Sequence, residues 1–316
     1  MSEGRSCPLA YRYAPESLCR EPTEVSEDVL YIVGGLYGNP FALDAIEQMA
    51  LAEERQGRRV RLVFNGDFNW FNADDTLFQD INKRVLAHTA SLGNVEYELA
   101  NASAGAGCGC AYPEFVDQGV VERSNRIMEK LQGVAEQHPD IQEKLALLPR
   151  YQCLMFGGLK VLVLHGDPES LAGWGLAHES FSAANESALC GWLRDTGADV
   201  IACTHTCLPV LWSGEVENCA RVVANNGSAG MGNLQADPRG LITRIGLSAP
   251  ATEPVVAFEQ RGVHISLLPV SFDVAAWLAR FDELWPAGSD AAVSYRSRIL
   301  NGTSLNPEQV VFPSGS

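Results

Sequence analysis

The sequence predicts an α/β fold in which two β-sheets pack face to face and helices cover their outer faces. In the first half of the chain, short apolar runs typical of buried strands alternate with amphipathic helical segments, which favours parallel strands with helices on the faces of a sheet. From residue 208 onward the pattern changes to strands joined by turns. A length of 316 residues, with 46% apolar and 20% charged residues, suits one large globular α/β unit.

The first elements follow this pattern in order. Residues 29–33 form an apolar strand, and Asn39 with Pro40 supplies the N-cap and the first residue of a helix. Residues 60–64 predict the next buried strand, and residues 76–88 predict a second helix.

Later elements can be placed in the same way. A hairpin is predicted over residues 151–164, and a helix follows between the N-cap Asn185 and Gly197. Residues 200–203 and 263–267 predict two further strands, and residues 273–285 predict the last helix.

Domain boundaries are placed where the regular periodicity begins and ends. Residues 1–27 are polar and are interpreted as an extended N-terminal arm, residues 28–290 as the main domain, and residues 291–316 as a C-terminal tail. A helical insertion is expected at about residues 101–149, because a loop of small residues precedes a helix over 114–135 and a shorter helix after it.

Charge and cysteine content narrow the classes of protein. A net charge of −16 disfavours general nucleic-acid binding and anionic membrane surfaces, and an anionic substrate needs a local cation to reverse this field. No apolar run approaches the roughly 18 residues of a membrane helix, and residues 1–20 lack the apolar region of a secretory signal. With nine cysteines and no signal, we expect a cytoplasmic protein with reduced thiols. The oligomeric state is not indicated.

Potential metal ligands follow strand-like runs at four places. Asp67, His165 and His205 each come after a buried strand, and Asn94 follows a short Leu-Gly pair. Because the carboxyl ends of strands gather at one edge of an α/β sheet, these distant side chains can meet there. Oxygen and imidazole ligands together favour zinc, manganese or iron over calcium.

The order of these motifs resembles the calcineurin-like metallophosphoesterase superfamily, closest to its small bacterial phosphodiesterase branch. That family shows Asp-x-His-Gly-Asn, Gly-Asp, Gly-Asn-His-Asp/Glu, His-Gly and Gly-His-Thr-His-x-Pro in this order. The corresponding segments of this chain are residues 35–39 (GLYGN), 66–67 (GD), 93–96 (GNVE), 165–168 (HGDP) and 204–209 (THTCLP). The resemblance covers about residues 29–285 and implies a two-sheet sandwich of the metallophosphoesterase type.

The departures from the family pattern affect only one of its two metal positions. Gly35 and Tyr37 replace the first-motif Asp and His, Val95 replaces a catalytic His, and Cys207 replaces the second His of the last motif. The resemblance therefore implies a degenerate first metal position, which keeps the shared Asp67 and, as a candidate ligand, Cys207.

The second metal position is complete, and the resemblance assigns Asp67, Asn94, His165 and His205 to it. It implies a metal-dependent phosphoesterase, a diverged phosphodiesterase, that holds one divalent zinc, manganese or iron ion and leaves room for a second. The substrate would be a phosphorylated small molecule or a phosphodiester.

The resemblance also suggests roles around the metal. Asp67, His165 and Tyr37 are the expected catalytic residues, with Tyr37 or Asp167 replacing the missing proton donor. Asn39 and Asp167 are the expected substrate-binding residues.

Several alternatives stay open at this point. The protein could be a weak or inactive relative that serves as a binding scaffold or sensor, since one retromer subunit has that history. A nucleotide-binding module built on the Gly34–Asn39 loop is a third hypothesis. Cys108 and Cys110 could join Cys207 around zinc or be ordinary thiols, and the two histidines could be core residues without a metal.

Overall fold

The computed structural model describes residues 3–313 and contains two mixed β-sheets flanked by helices, which confirms the predicted α/β class. The strands are β1 (Thr23–Glu24), β2 (Val29–Val33), β3 (Val60–Asn65), β4 (Thr89–Ser91), β5 (Tyr151–Phe156), β6 (Leu159–Leu164), β7 (Val200–Cys203), β8 (Pro209–Val216), β9 (Cys219–Asn226), β10 (Gly240–Gly246), β11 (Val256–Gln260), β12 (Val263–Val270) and β13 (Val311–Pro313). The helices are α1 (Pro40–Glu54), α2 (Asp75–Val85), α3 (Asn94–Ala100), α4 (Gln118–Ala135), α5 (Pro139–Ala146), α6 (Glu186–Thr196), α7 (Val274–Leu284) and α8 (Asp290–Asn301).

The two sheets have different strand orders. Sheet A has six strands in the order β11-β12-β10-β2-β3-β4, in which β2, β3 and β4 run parallel. Sheet B has seven strands in the order β1-β5-β6-β7-β9-β8-β13, in which β6, β7 and β9 run parallel. The loops after the parallel strands β3, β6 and β7 carry Asp67, His165 and His205.

Strand β2 shows how both faces of sheet A are buried. Leu30 and Ile32 pack in the core between the sheets, where they belong to one apolar cluster with residues of β6 and β7. Tyr31 and Val33 belong to the cluster that the helices form on the other face. Since neighbouring residues of a strand face opposite sides, the continuous apolar run of β2 is what a strand covered on both faces requires.

Most predicted elements are present, with small changes at their ends. Helix α1 begins as expected, because the Asn39 Oδ1 accepts the Ala42 N–H at 3.0 Å and Pro40 follows. The helix predicted from residue 114 begins later, since Asp117 caps α4 by accepting the Gly119 N–H at 2.9 Å.

Helix α4 buries one of its faces against the body of the protein. Its buried residues are Val121, Ser124, Ile127, Met128, Leu131 and Ala135. Helices α4 and α5 contact α3, and α4 also contacts α8, so residues 101–149 pack against the main body.

The N-terminal segment packs along the body in its described part, from residue 3 onward. Its strand β1 pairs in parallel with β5, and Tyr11 is fully buried. A disulfide joins Cys19 to Cys153 of β5, with 5.4 Å between their Cα atoms. The expectation that every cysteine is reduced is therefore wrong for this pair.

Two elements lie in the segment that the sequence assigned to a tail. Helix α8 begins after Ser289, whose Oγ accepts the Ala292 N–H, and it brings Arg298 to the body of the protein. Strand β13 pairs in parallel with β8 at the edge of sheet B. Among residues 3–313, no helix has the length and apolar character needed to span a bilayer.

Candidate metal centre

Four of the predicted ligands meet at one edge of the two sheets. Asp67 follows β3 of sheet A, Asn94 begins α3, and His165 and His205 follow β6 and β7 of sheet B. The atoms of Asp67, His165 and His205 that could bind a metal all lie within 4.8 Å of one another. The His165 Nε2 lies 3.1 Å from the Asn94 Oδ1, 3.2 Å from the His205 Nδ1 and 3.4 Å from the Asp67 Oδ2.

The outer hydrogen bonds of this group fix which atoms face inward. The His165 Nδ1 lies 2.9 Å from the Asn65 carbonyl oxygen, and the His205 Nε2 lies 3.1 Å from that of Cys110. A carbonyl can only accept, so each of these ring nitrogens carries the proton, and the opposite nitrogen of each ring presents a lone pair to the centre. The Asn94 Nδ2 donates to the Cys108 carbonyl at 3.0 Å, which turns its Oδ1 inward.

When both imidazoles are neutral, the centre of the group therefore contains four acceptor atoms that face one another without a hydrogen-bond donor among them. They are two imidazole nitrogens, one amide oxygen and one carboxylate oxygen. Side chains arranged in this way, and oriented by carbonyl groups behind the rings, fit a divalent cation. The residues are more than nine-tenths buried, with His165 fully so and Asp67 and His205 each 6% exposed.

The pKa values of the three ionisable residues are shifted in different directions by burial and by one another. Burial by itself lowers the pKa of His165, but the Asp67 carboxylate outweighs it and leaves this pKa above its usual value. Burial and the neighbouring His165 lower the pKa of His205 to about 3. Burial raises the pKa of Asp67, but the charge and hydrogen bond of His165 more than offset this and hold it below the usual range.

Glycines allow the chain to bring Asp67 next to these rings. A Cβ atom on Gly93 would lie 2.6 Å from the Asp67 backbone nitrogen, and one on Gly66 would lie 2.8 Å from the His165 Nδ1. Asp67 itself has a φ of 54°, in the left-handed region that non-glycine residues seldom adopt.

The carboxylate of Glu96 stabilises the loop that carries Asp67. It accepts the N–H groups of Asp67, Phe68, Asn69 and Gly93 at 2.7 to 3.2 Å, and the side chain is fully buried. Burial and the nearby Asp67 raise the pKa of Glu96 to about 7. The strained Asp67 is thus held by four backbone hydrogen bonds to one carboxyl group.

A cavity of about 180 Å³ opens onto the group. Its walls are Tyr37, Asp67, Trp70, Asn94, Val95, Cys110, Tyr112, Trp174, His205, Thr206, Cys207, Tyr295 and Arg298. Five of these residues are aromatic, so most of the wall away from the ligands is apolar with hydroxyl or indole edges.

Tyr37 and Cys207 lie together in the cavity wall, at the positions where the family pattern has histidines. The Tyr37 hydroxyl lies 2.7 Å from the Cys207 sulfur, and both residues have positive φ angles, 52° and 62°. Burial, reinforced by Cys207, raises the pKa of Tyr37 well above its ordinary value, and burial also raises the pKa of the Cys207 thiol. Both groups are therefore neutral near pH 7.

Two predicted substrate-binding residues do not line the cavity. Asn39 is fully buried as the cap of α1, and its Nδ2 donates to the Gly230 carbonyl at 3.0 Å. The Asp167 carboxylate accepts the N–H groups of Glu169, Ser170 and Gly175 within the loop after β6. Both side chains are used to shape loops.

Most amides of the Gly34–Asn39 loop already donate to backbone carbonyls, whereas the nucleotide-binding hypothesis requires amides that are free to bind a phosphate. The N–H groups of Gly35, Tyr37, Gly38 and Asn39 all donate to backbone carbonyls at 2.9 to 3.2 Å. These four amides are not available to a phosphate, which argues against the phosphate-binding interpretation of the loop.

The segment around Cys108 and Cys110 does reach the site, though through its backbone. The Cys110 carbonyl accepts from both the His205 Nε2 and the Trp174 Nε1, at 3.1 and 2.9 Å. The Cys110 sulfur lies 3.7 Å from the Asn94 Nδ2, and burial raises the pKa of this thiol well above its usual value. Within residues 3–313, no cysteine belongs to the group of metal donor atoms.

Sequence reasoning missed several residues that shape the site. Glu96 lies in the third motif, two residues after Asn94, but nothing in the sequence indicated that its carboxylate would bind the loop that carries Asp67. Trp174, Tyr295 and Arg298 come from a loop and a helix outside any motif, so only the fold brings them to the cavity.

Comparisons with known proteins identify the fold. Over 88% of this chain and all of the other, the structure matches a metallophosphoesterase from Sphaerobacter thermophilus with a TM-score of 0.56 at 16% identity. The chain has the fold of that metallophosphoesterase. A hypothetical protein, PH1004 of Pyrococcus horikoshii OT3, matches over 88% of this chain and 99% of its own with a TM-score of 0.58 at 13% identity.

The sequence comparisons give no further assignment. No family model matches the chain, and no curated protein does either. At such low identity the structural likeness establishes the fold alone.

Proposed function

We propose that the protein is a metal-dependent phosphoesterase, and more specifically a diverged phosphodiesterase that works with one divalent metal. The observation that carries the proposal is the convergence of four acceptor atoms from Asp67, Asn94, His165 and His205, and all of these residues except His165 line a cavity. The shared fold with a metallophosphoesterase supports the same conclusion.

These four residues would hold zinc, manganese or iron. A divalent ion at such a site supplies positive charge to a phosphoryl oxygen and lowers the pKa of water. The rings of His165 and His205 are held in place by the carbonyls of Asn65 and Cys110, so the chain orients its ligands before any substrate arrives.

Tyr37 is the group of this chain best suited to assist the leaving oxygen. Val95, which also lines the cavity, has no proton to give. The raised pKa of Tyr37 keeps its phenol protonated, so the hydroxyl can donate a hydrogen bond in the cavity.

The cavity walls suggest what kind of ester would bind. Trp70, Tyr112, Trp174 and Tyr295 offer aromatic surface beside the ligand group, and about 180 Å³ of space is available. We propose a phosphodiester or phosphorylated small molecule with an apolar group that packs against these rings.

Metal analysis and a hydrolysis assay on the same preparations test the proposal. We expect about one tightly held divalent metal per chain, and metal-dependent release of nitrophenol from bis(p-nitrophenyl) phosphate in preference to p-nitrophenyl phosphate. His205→Ala should lose both the metal and the activity. His264→Ala, which changes a half-buried histidine of β12 outside the site, should retain both.

A His205→Ala variant with unchanged metal content and activity would overturn the site. Metal binding without hydrolysis of either ester would instead favour the second candidate function, a binding scaffold or sensor. That candidate is supported by Val95, which leaves the cavity without the imidazole expected at this position.

A further inference from the structure

Arg298 of α8 introduces a positive charge into the cavity. It lines the same space as Asp67 and His205, and among residues 3–313 it is the only lysine or arginine in the cavity walls. The chain has 39 acidic and 23 basic residues, so an arginine in the wall of this cavity runs against the general charge balance.

Arg298 has no carboxylate partner within residues 3–313. Two other arginines at this helix are paired: Arg296 of α8 with Asp282, and Arg126 of α4 with Asp290 at the start of α8. Arg298 instead donates only to neutral oxygens. Its guanidinium charge is therefore left uncompensated beside the cavity.

Those neutral oxygens hold the guanidinium firmly. The Nε donates to the Gly232 carbonyl at 2.9 Å, and the Nη2 donates to the Cys207 carbonyl and to the Asn233 Oδ1. The Asn233 side chain is in turn fixed by the Ser228 N–H and carbonyl. Among the described residues, the Arg298 Nη1 has no hydrogen-bond partner, which leaves its two N–H groups available.

The charges of the cavity indicate which ligand this arrangement suits. The cavity wall contains one carboxylate, Asp67, and one guanidinium, Arg298. With a divalent cation bound, the wall would carry a net positive charge. An anion with several oxygens can then contact the metal side and the guanidinium at once.

We infer that Arg298 forms an anion subsite that binds the phosphoryl oxygens of the substrate in the same cavity as the ligand group. This rests on the proposed function, because the metal would supply the other positive charge of the subsite. Arg298 takes the place of a second cation, next to the two residues, Tyr37 and Cys207, that stand where further metal ligands would be expected.

Inorganic phosphate is the probe for this inference. Its affinity for manganese-loaded protein, freed of excess metal, is measured by titration calorimetry for the wild type and three variants. We expect Arg298→Gln to weaken phosphate binding at least about tenfold, because a charge-assisted hydrogen bond is lost. The phosphate affinity of Arg298→Lys should lie between those of the wild type and Arg298→Gln, since lysine keeps the positive charge but lacks the paired N–H donors of the guanidinium group.

Arg296→Gln is the matched control. It removes one positive charge from the same helix, outside the cavity, and should change phosphate affinity by less than about twofold because surface charge is screened. Bound metal is counted in every sample.

A second measurement does not depend on the stability of the variants. In the wild type, phosphate should slow the modification of Arg298 by butanedione, followed by mass spectrometry, and should not slow that of Arg296. Equal phosphate affinity for metal-loaded wild type and Arg298→Gln, or no protection of Arg298, would overturn the inference. A wild type that holds no metal would overturn the proposed function instead.

Discussion

At the scale of single residues, the position of Asp67 depends on how closely two loops approach. Gly93 packs directly on the Asp67 backbone and carboxylate, and no side chain fits between them. Gly93 has a φ of −98°, which any residue can adopt, so its role is to provide space and not an unusual backbone conformation.

We therefore predict that Gly93→Ala displaces Asp67 and weakens metal binding. The added Cβ would lie 2.6 Å from the Asp67 nitrogen, far inside normal contact, so the loop has to shift. A loss of about tenfold to a hundredfold in metal affinity is expected, as for other changes that misplace a ligand. Competition with a fluorescent chelator measures it.

Gly133→Ala gives the control for this experiment. Gly133 lies in α4 with no atom within 4 Å of its would-be Cβ, and alanine favours helices by about 1 kcal/mol over glycine. This variant should keep the metal affinity of the wild type. Equal affinities for all three proteins would contradict the assigned role of Gly93.

The site residues differ in how far sequence alone could place them. Asp67, Asn94, His165 and His205 follow strands, and strand ends of an α/β fold converge, so their meeting could be predicted. Asn39 and Asp167 stand in motifs but are used by their own loops, because backbone N–H groups close in sequence satisfy them first.

At the scale of elements, a buried ion pair joins helix α1 to strand β10 of sheet A. The Arg244 side chain is fully buried, and its Nε donates to the Glu53 Oε1 at 2.8 Å. Arg58 also pairs with Glu53. The carboxylate of Glu53, shared between the two guanidinium groups, thus holds α1 against sheet A.

We predict that Glu53→Gln lowers the free energy of unfolding by about 3 kcal/mol, because it leaves the buried Arg244 charge without its counterion. Urea unfolding at pH 7 measures the loss. Glu54→Gln changes the exposed neighbouring residue and should stay within about 0.5 kcal/mol of the wild type.

The same pair predicts a pH dependence with a definite sign. Burial raises the pKa of Glu53, but its two arginine partners outweigh this and hold it below the ordinary value of 4.5. The stabilisation is therefore complete above about pH 4.5 and is lost as the pH falls through the lower folded-state pKa. The difference in the free energy of unfolding between wild type and Glu53→Gln should therefore become smaller as the pH falls through that range. A difference that stays constant would show that ionisation of Glu53 is not its cause.

At the scale of the whole molecule, the N-terminal segment is tied to the body at several points. Its Tyr11 hydroxyl donates to the buried Glu98 at 2.5 Å, β1 extends sheet B, and the Cys19–Cys153 disulfide joins the segment to β5. The segment thereby covers an edge of sheet B that would otherwise be open to pairing.

We predict that denatured, unreduced protein shows seven reactive thiols and that reduction raises the number to nine. Peptide mapping should find Cys19 linked to Cys153. Reduction of the native protein should cost about 2–5 kcal/mol of stability, because the unfolded chain is no longer cross-linked. Nine reactive thiols before reduction would contradict the pairing.

The sandwich itself could be predicted from sequence, since strands such as β2 are apolar on both faces and helices alternate with them. Helix α8 and strand β13 could not. Only three residues of α8 are buried, so its periodic pattern is weak, and β13 is a three-residue edge strand. The disulfide also lay beyond sequence reasoning, because spacing does not tell which cysteines meet.

The Cys110 carbonyl, which accepts from both His205 and Trp174, makes three separate stretches of chain share one oxygen. A displacement of the Cys110 segment would break the hydrogen bond to His205 and free its imidazole to rotate. Ion binding and the position of this segment would then be coupled, and the coupling free energy would be equal in both directions.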